Sequence, residues 1–249
     1  MEYIDCTWEF KNIGEKTVEI LVLESDIFDE EELVNNISNY EYIVIKVPVC
    51  KMDFCVGLQK MGFTFIESQF HISKKYKDFD VNDRLVRVLA TKAHFTNVED
   101  EEDLKYVINS MNSNMFSTDR ICLDKNLGPQ LGLRRYRNWI ISEFESRKSQ
   151  IINYNFNDKN IGFGMFRIDN RVLYGLLGGI YKKHQDCGLG LLTPIAGLLF
   201  CKEHNIRIEK MITSISSNNV PVMQLYNYLN FTINSIKYVY IKHQYNDSI

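Results

Sequence analysis

Residues that punctuate or cross-link a chain are scarce in this sequence. Only 4 of its 249 residues are proline and 13 are glycine, which excludes fibrous and low-complexity architectures. It has no Cys-x-x-Cys pair and no histidine at zinc-finger spacing. The 6 cysteines, at positions 6, 50, 55, 122, 187 and 201, are scattered along the chain, a pattern that predicts buried, reduced thiols, a cytoplasmic location and no metal. A broad positive field is missing too. With 29 basic and 32 acidic residues and a net charge of −3, nucleic acid or an anionic membrane is disfavoured as the main partner. No window approaches the ~20 apolar residues of a spanning helix. The first residues have neither the basic nor the apolar run of an export signal, so neither insertion nor export is expected. What is present is apolar mass: 45% hydrophobic residues with 15 Phe, 14 Tyr and 2 Trp, ample for a packed core. The length lies between one domain and two.

Periodicity divides the chain unequally. An apolar run at 18–23, an acidic helical patch at 29–37, a strand at 42–49, a helix with Phe54, Leu58 and Met61 on one face, and a strand at 63–72 predict β-α-β-α-β. Pro48 closes the middle strand and Gly62 caps the second helix. The polar stretch 73–83 predicts a linker, giving a smaller unit at 1–83 and a larger one at 84–249. In the larger unit an alternating run at 85–95 predicts a strand. Asn97 then caps a helix with Leu104, Val107, Ile108 and Met111 on one face. The acidic run 99–103 is its solvated first turn, favoured by the helix dipole, rather than a metal site. A long loop at 112–132 leads to a helix with Leu133, Tyr136, Ile140 and Phe144 inward. Strands near 150–155, 161–168 and 172–180, with Asn/Asp turns at 157–160 and 169–170, predict an antiparallel meander. A helix over 192–200, a strand at 209–215, a helix at 220–229 and a strand pair around 232–242 follow. The fold class is α/β (α+β), a mixed and mostly antiparallel central sheet flanked by helices.

The chemistry concentrates after the strand at 172–180. Gln185, Gly188 and Gly190, in a Q-x-x-G-x-G pattern, open a helix. Unpaired N–H groups at a helix N-terminus bind phosphate, and glycines let it approach closely. Such charge-assisted bonds are worth about 1.5–3 kcal/mol each. A glycine-eased turn into a core helix explains the pattern equally well on its own. Twenty-nine residues after Gly190 comes Asn219, followed by Leu225, Tyr226 and Phe231.

Together these residues resemble the GCN5-related N-acetyltransferase (GNAT) family. There, Q/R-x-x-G-x-G/A cradles the pyrophosphate of acetyl-CoA, and N-x-x-A-x-x-L-Y-x-x-x-G-F closes the fold. The resemblance runs from Leu85 to the end. Val222 stands where Ala is usual, and Asn230 where Gly is usual, a position that needs left-handed backbone. Pro194 lies far enough into its helix to predict a kink near the pyrophosphate. The resemblance implies acetyl-CoA as cosubstrate, without a metal. Its contacts fall on Gly179, Ile180, Gln185, Asp186, Cys187, Gly188, Leu189, Gly190 and Asn219. Tyr226 is implied as the general acid that protonates the CoA thiolate, a phenol near pKa ~10 meeting a thiol near ~8.5. The residues themselves leave alternatives. Val222, Leu225, Tyr226 and Leu229 form one apolar face that suits a core tyrosine. Asn219 can simply cap its helix, and Gly178–Gly179 can be a bulge instead of the strand edge that pairs with pantetheine and supplies the oxyanion contact. The five histidines show no metal or triad spacing.

Two further likenesses bear on the acceptor. Residues 116–124 with Tyr136 and Trp139 resemble the TDP-fucosamine acetyltransferase type of the family, which carries an N-terminal partial domain and acts on a nucleotide-linked amino sugar. That resemblance implies Arg120 and Tyr136 at the acceptor wall, against a surface arginine and a core tyrosine as the plain alternatives. In the first unit, the segment Leu58 to Thr64 echoes Tyr226 to Thr232, with no Q-x-x-G-x-G before it. A degenerate half-sized copy follows, one that extends the sheet or walls the acceptor site without binding CoA. The expected function is acetyl transfer from acetyl-CoA to a primary amine by direct attack, a nucleotide-linked amino sugar ranking ahead of a small amine or a protein N-terminus. The expected partners are acetyl-CoA and a small amine-bearing substrate, with a homodimer allowed. The rivals are a CoA-binding or sensing module without turnover, and a structural protein in which the glycines are only turns. The base that frees the amine is not named.

Overall fold

The computed structural model describes residues 1–244. Among the described residues, ten strands lie in one sheet, ordered β1-β2-β3-β10-β4-β9-β8-β7-β6-β5. The first, smaller part of the chain, the first half of an internal repeat, supplies β1 (Glu2–Asp5), α1 (Thr7–Ile13), β2 (Thr17–Leu21), α2 (Glu30–Ile37), β3 (Tyr42–Pro48), α3 (Met52–Lys60) and β4 (Thr64–Lys75). The rest supplies α4 (Arg84–Lys92), β5 (Ala93–Asn97), α5 (Glu101–Ser110), α6 (Arg120–Leu123), α7 (Pro129–Ser146), β6 (Gln150–Phe156), β7 (Lys159–Asp169) and β8 (Val172–Ile180). It ends with α8 (Leu192–Glu203), β9 (Lys210–Ser216), α9 (Val220–Tyr228) and β10 (Thr232–His243). Among the described residues only β2 with β3 and β8 with β9 pair in parallel; the sheet is mixed and mostly antiparallel, as expected.

The two halves repeat one unit 168 residues apart. Lys51 before α3 has φ −95 and ψ 67, and Asn219 before α9 has φ −94 and ψ 63. Each helix ends on a left-handed residue, Gly62 (φ 79) and Asn230 (φ 54), which satisfies the last carbonyls. The returning amide closes both in the same way: Phe63 N–H to the Leu58 carbonyl at 2.9 Å, Phe231 N–H to the Tyr226 carbonyl at 3.1 Å. Each unit then yields a 12-residue strand, and the two strands are exchanged. β4 pairs with β9 of the second half, while β10 pairs with β3 of the first, and they pair with each other between.

Several expectations need correction. The run 85–95 is mainly helix. Asp83 caps it by accepting from the Leu85 and Val86 amides, and Val86 and Leu89, three apart, are buried on one face, so only residues 93–97 remain for a strand. The cap of α5 is Asp100, not Asn97; the acids Glu101, Glu102 and Asp103 occupy its first turn as anticipated. The strand pair at 232–242 is one strand, and the break is a bulge at Asn234, left unpaired between Ile233↔Ile72 and Ser235↔His71. The stretch 73–83 is not a bare linker, because Phe79 is buried in the main core. The long loop at 112–132 holds α6 and the start of α7, while β1 and α1 were not anticipated. Three cysteines are buried, but Cys50 and Cys187 are exposed. The Asn/Asp turns stand, with positive φ at Asn157, Asp158, Asn170 and Arg171.

The halves are also locked by charge. α1 packs on α7, where the Glu9 carboxylate accepts from Arg135 Nε at 2.6 Å and from Arg120 Nη2 at 3.4 Å. The Asn12 carbonyl accepts from Arg134 Nε at 2.7 Å. His243 at the end of β10 bridges Glu15 at 2.8 Å and Asp124 at 2.7 Å. Among the described residues, no helix is long and apolar enough to cross a membrane.

Candidate active site

The site begins where β8 and β9 separate. Their parallel ladder holds three residue pairs, Val172↔Lys210 to Tyr174↔Ile212, and stops. From Gly175 onward β8 stays paired with β7, so its other edge has lost its ladder. A bulge at Leu176, unpaired between Phe166↔Gly175 and Met165↔Leu177, adds the local twist that turns the strand away. Thr213 Oγ1 donates to the Gly175 carbonyl at 2.9 Å, taking up an acceptor at the parting point. The bulge is therefore not at Gly178–Gly179, which pair regularly with Gly164 and Phe163. Gly164 and Gly178 answer a different demand. A Cβ at 164 would overlap the Tyr154 hydroxyl, and one at 178 would stand 2.9 Å from it.

A cavity of about 220 Å³ occupies the opening and draws its lining from both faces of the sheet. On the α8–α9 face stand Tyr154, Thr193, Thr213, Asn219 and Tyr226; on the α6–α7 face stand Glu67, Phe116, Thr118, Asp119, Tyr136 and Ser216. One face is nearly neutral and the other carries two carboxyl groups.

Beyond Ile180 the chain makes a 3-10 segment, Lys182–Cys187. Gln185 Nε2 donates back to the Ile180 carbonyl at 3.1 Å, so this side chain ties the loop to the strand end. Gly188 has φ 72 with open space about its Cα; the backbone, not crowding, requires glycine there. The N–H groups of Leu189, Gly190 and Leu191 donate to no acceptor among the described residues. Three successive free donors just before α8 are the kind of backbone group that binds phosphate oxygens. Lys182, Lys183, Asp186 and Cys187 are exposed on the preceding segment, and Leu189 is buried. Pro194 is the third residue of α8, within the turn whose amides have no helical partner, so it causes no kink.

Tyr226 is a core tyrosine that also borders the cavity. It is 7% exposed, packs edge-on against Phe231 at 4.8 Å and lines the cavity. Burial pushes its phenol up to about 12, with a hydrogen bond involving Thr213 pulling the other way. The phenol therefore keeps its proton at neutral pH. Asn219 also serves twice: its side chain accepts from the Val222 N–H at 3.3 Å, capping α9, and it faces the cavity.

The two acceptor-wall candidates part. Tyr136 lines the cavity and donates its hydroxyl to Asp119 Oδ2 at 2.9 Å, and burial raises its pKa well above the usual phenol value. Arg120 is buried in the ion pair with Glu9 and is not part of the lining. It is neither a surface arginine nor a cavity wall. Sequence inspection missed Glu67, Asp119, Tyr154, Thr213 and the pair Lys182–Lys183. Of these only the lysines carried a signal, their position just before the glycine loop. Among the described residues, no group of three His, Cys, Asp or Glu side chains is placed to hold a metal ion.

The sequence matches no family model and no curated protein. The fold does have relatives. A functionally unknown conserved protein from Staphylococcus epidermidis superposes with a TM-score of 0.61 at 8% identity, covering 92% of this chain and 84% of its own. A tandem GNAT protein from the clavulanic acid biosynthesis pathway, determined without AcCoA, gives 0.58 at 13% identity, covering 94% and 77%. A GCN5-related N-acetyltransferase from Kribbella flavida gives 0.52 at 11% identity, covering 81% and 68%. At these identities the likeness speaks for architecture, and the chain has the fold of the GCN5-related N-acetyltransferases.

Proposed function

We propose that this protein is an acetyl-CoA-dependent N-acetyltransferase acting on a primary amine. The observation that carries the proposal is the early end of the β8–β9 ladder, which opens a cavity through the sheet lined by the Tyr226 phenol and by Thr193, two residues beyond the free amides at 189–191. In this reading the amides of Leu189, Gly190 and Leu191 hold the pyrophosphate, with Gln185, Asp186, Cys187 and Gly188 shaping the loop around it. The unladdered edge of β8, including Gly179 and Ile180, receives the pantetheine arm and supplies the N–H that stabilises the oxyanion. Asn219 orients the start of α9. Residues 84–249 form the transferase unit, and residues 1–83 a partial copy of it.

The amine attacks the thioester carbonyl from the α6–α7 face, and the departing thiolate takes a proton from Tyr226 on the other face. Burial, which raises the phenol pKa, also raises the basicity of a thiolate brought beside it, so the proton transfer stays feasible. Tyr136 belongs to the acceptor wall. Arg120 contributes indirectly, through the anchoring of α6. A nucleotide-linked amino sugar, implied by the resemblance over 116–140, is the first acceptor to test. Two measurements decide the matter: the melting shift with acetyl-CoA, and thiol release across an amine panel that includes such sugars, small amines and an N-terminal peptide. At 100 times Kd, acetyl-CoA should add about 2.7 kcal/mol of stability. Stabilisation without thiol release on any amine would leave a CoA-binding module, and no stabilisation would remove the CoA site altogether.

A further inference from the structure

We propose that Glu67, carried by the last strand of the first half, binds the ammonium group of the acceptor and takes its proton, so the enzyme selects cationic alkylamines. The assignment rests on the acetyltransferase reading and names the group which that reading leaves open. Glu67 is 6% exposed, yet it lines the cavity, and its Oε2 has no hydrogen-bond partner. Buried carboxylate oxygens are rarely left so, because the interior normally supplies a donor. A ligand that brings an N–H donor completes the site.

The neighbouring carboxylate does not compete for the role. Asp119 is already engaged on both oxygens, Oδ1 accepting from the Ile121 amide at 2.9 Å and Oδ2 from the Tyr136 hydroxyl at 2.9 Å. The charged and polar groups around Glu67 come from several elements: Asp119 and Arg120 at α6, Lys46 on β3 and Ser216 on β9. Burial, the largest influence, and Asp119 raise the carboxyl pKa, while Ser216, Arg120 and Lys46 hold it down, and the net direction is upward. A carboxylate shifted toward neutrality is a better base for an ammonium than an ordinary surface one. Its position also fits the route. Glu67 is on the α6–α7 face and Tyr226 on the α8–α9 face, so base and acid stand on opposite sides of the opening where the thioester lies.

The steps balance. Glu67 takes one proton from the ammonium, and the freed lone pair forms the C–N bond to the thioester carbonyl. The C–S bond breaks as the thiolate takes the Tyr226 proton. The second nitrogen proton returns to the Tyr226 phenolate, and the proton on Glu67 passes to solvent. The net reaction turns ammonium and acetyl-CoA into amide, CoA thiol and one proton.

The test compares wild type with Glu67→Gln on an alkylamine and on an arylamine that is neutral at assay pH, with the acetyl-CoA melting shift measured for both proteins. The expected result is a loss of about 100-fold in kcat/KM on the alkylamine, a much smaller loss on the arylamine, a retained melting shift, and disappearance of the rising limb of the pH–rate profile. If Glu67→Gln fails to fold, Glu67→Asp should show the same split between acceptors in weaker form. Wild type that turns over while the variant matches it on both amines, with an unchanged pH profile, overturns the assignment to Glu67 alone. Wild type that neither gains stability from acetyl-CoA nor releases thiol overturns the transferase reading, and this assignment with it.

Discussion

In the first half, the parallel ladder of β2 and β3 runs through five residue pairs from Thr17↔Tyr42 to Leu21↔Lys46, and the Val22 amide extends it to the Lys46 carbonyl at 3.0 Å. In the second half the corresponding ladder stops after three. The flanking helices α3 and α9 have the same backbone angles at their ends and the same return to a 12-residue strand, although only α9 has a side-chain cap, Asn219. What differs is the filling. Phe28 lies over Gly57 and packs edge-on against Phe54 at 5.4 Å, while Leu58, at the position of Tyr226, is fully buried. One copy of the unit has spent its opening on a core; the other has kept it, and placed a hydroxyl where its twin has a methyl group. A repeated scaffold thus separates support from chemistry, and the exchanged strands put a residue of the closed half, Glu67, at the mouth of the open one.

The largest expected effect breaks the joint between the halves. Glu9→Ala leaves Arg120 and Arg135 buried without their shared carboxylate, and should cost about 3–5 kcal/mol, read as a drop in the denaturation midpoint. Tyr226→Phe, which gives the open half an apolar residue like its twin's, should lower kcat by roughly 100-fold, or about 2.7 kcal/mol of barrier, with acetyl-CoA binding intact. Unchanged turnover would remove Tyr226 as the acid. Wild type should also show no falling limb below pH 10 from this residue, because its pKa is pushed up to about 12 and the proton needed for donation stays in place. The reciprocal change, Leu58→Tyr, should destabilise by about 1–3 kcal/mol through overpacking and confer no second CoA site, counted by calorimetric stoichiometry. Gly188→Ala puts a side chain at φ 72, costing about 1–2 kcal/mol, and should weaken acetyl-CoA binding by distorting the amides at 189–191.

The smallest effect is a pH dependence at the joint. Burial pushes the His243 imidazole down, but its bonds to Asp124 and Glu15 outweigh that, and its pKa is raised. A raised folded pKa means its stabilisation is complete below the unfolded value of about 6.5 and is lost as pH climbs through the folded value. Melting temperature should therefore fall with rising pH across that window in wild type, and fall less in His243→Gln.

Much of this comparison was legible in the residues. The echo of Leu58 to Thr64 in Tyr226 to Thr232 marks a helix ending on a left-handed residue, a local event that few residue types permit. Gln185, Gly188 and Gly190 announced a loop needing unusual backbone before a helix. The misreadings came where local pattern serves two structures. Leu85, Val86, Val88 and Leu89 fit a strand until Asp83 is seen as a cap, and the expected strand pair at 232–242 is one strand interrupted by the bulge at Asn234. Glu67 gave no signal, and Arg120 gave no sign of its ion pair, since each depends on what lies opposite. Arg120 meets Glu9, 111 positions away, and the β4 strand bearing Glu67 joins β9, whose Ser217 hydroxyl neighbour receives the Ser68 amide from 149 positions away.

By itself, the sequence determined the repeated helix-and-strand unit, the glycine loop and the tyrosine that follows it, because caps, turns and apolar faces are decided within a few residues. Tertiary structure alone decided that β4 and β10 change places, that one parallel ladder closes while the other opens, and that a carboxylate from the closed half faces the open cavity. Those outcomes depend on which strand competes best for each edge of the sheet, a choice made between segments more than a hundred residues apart.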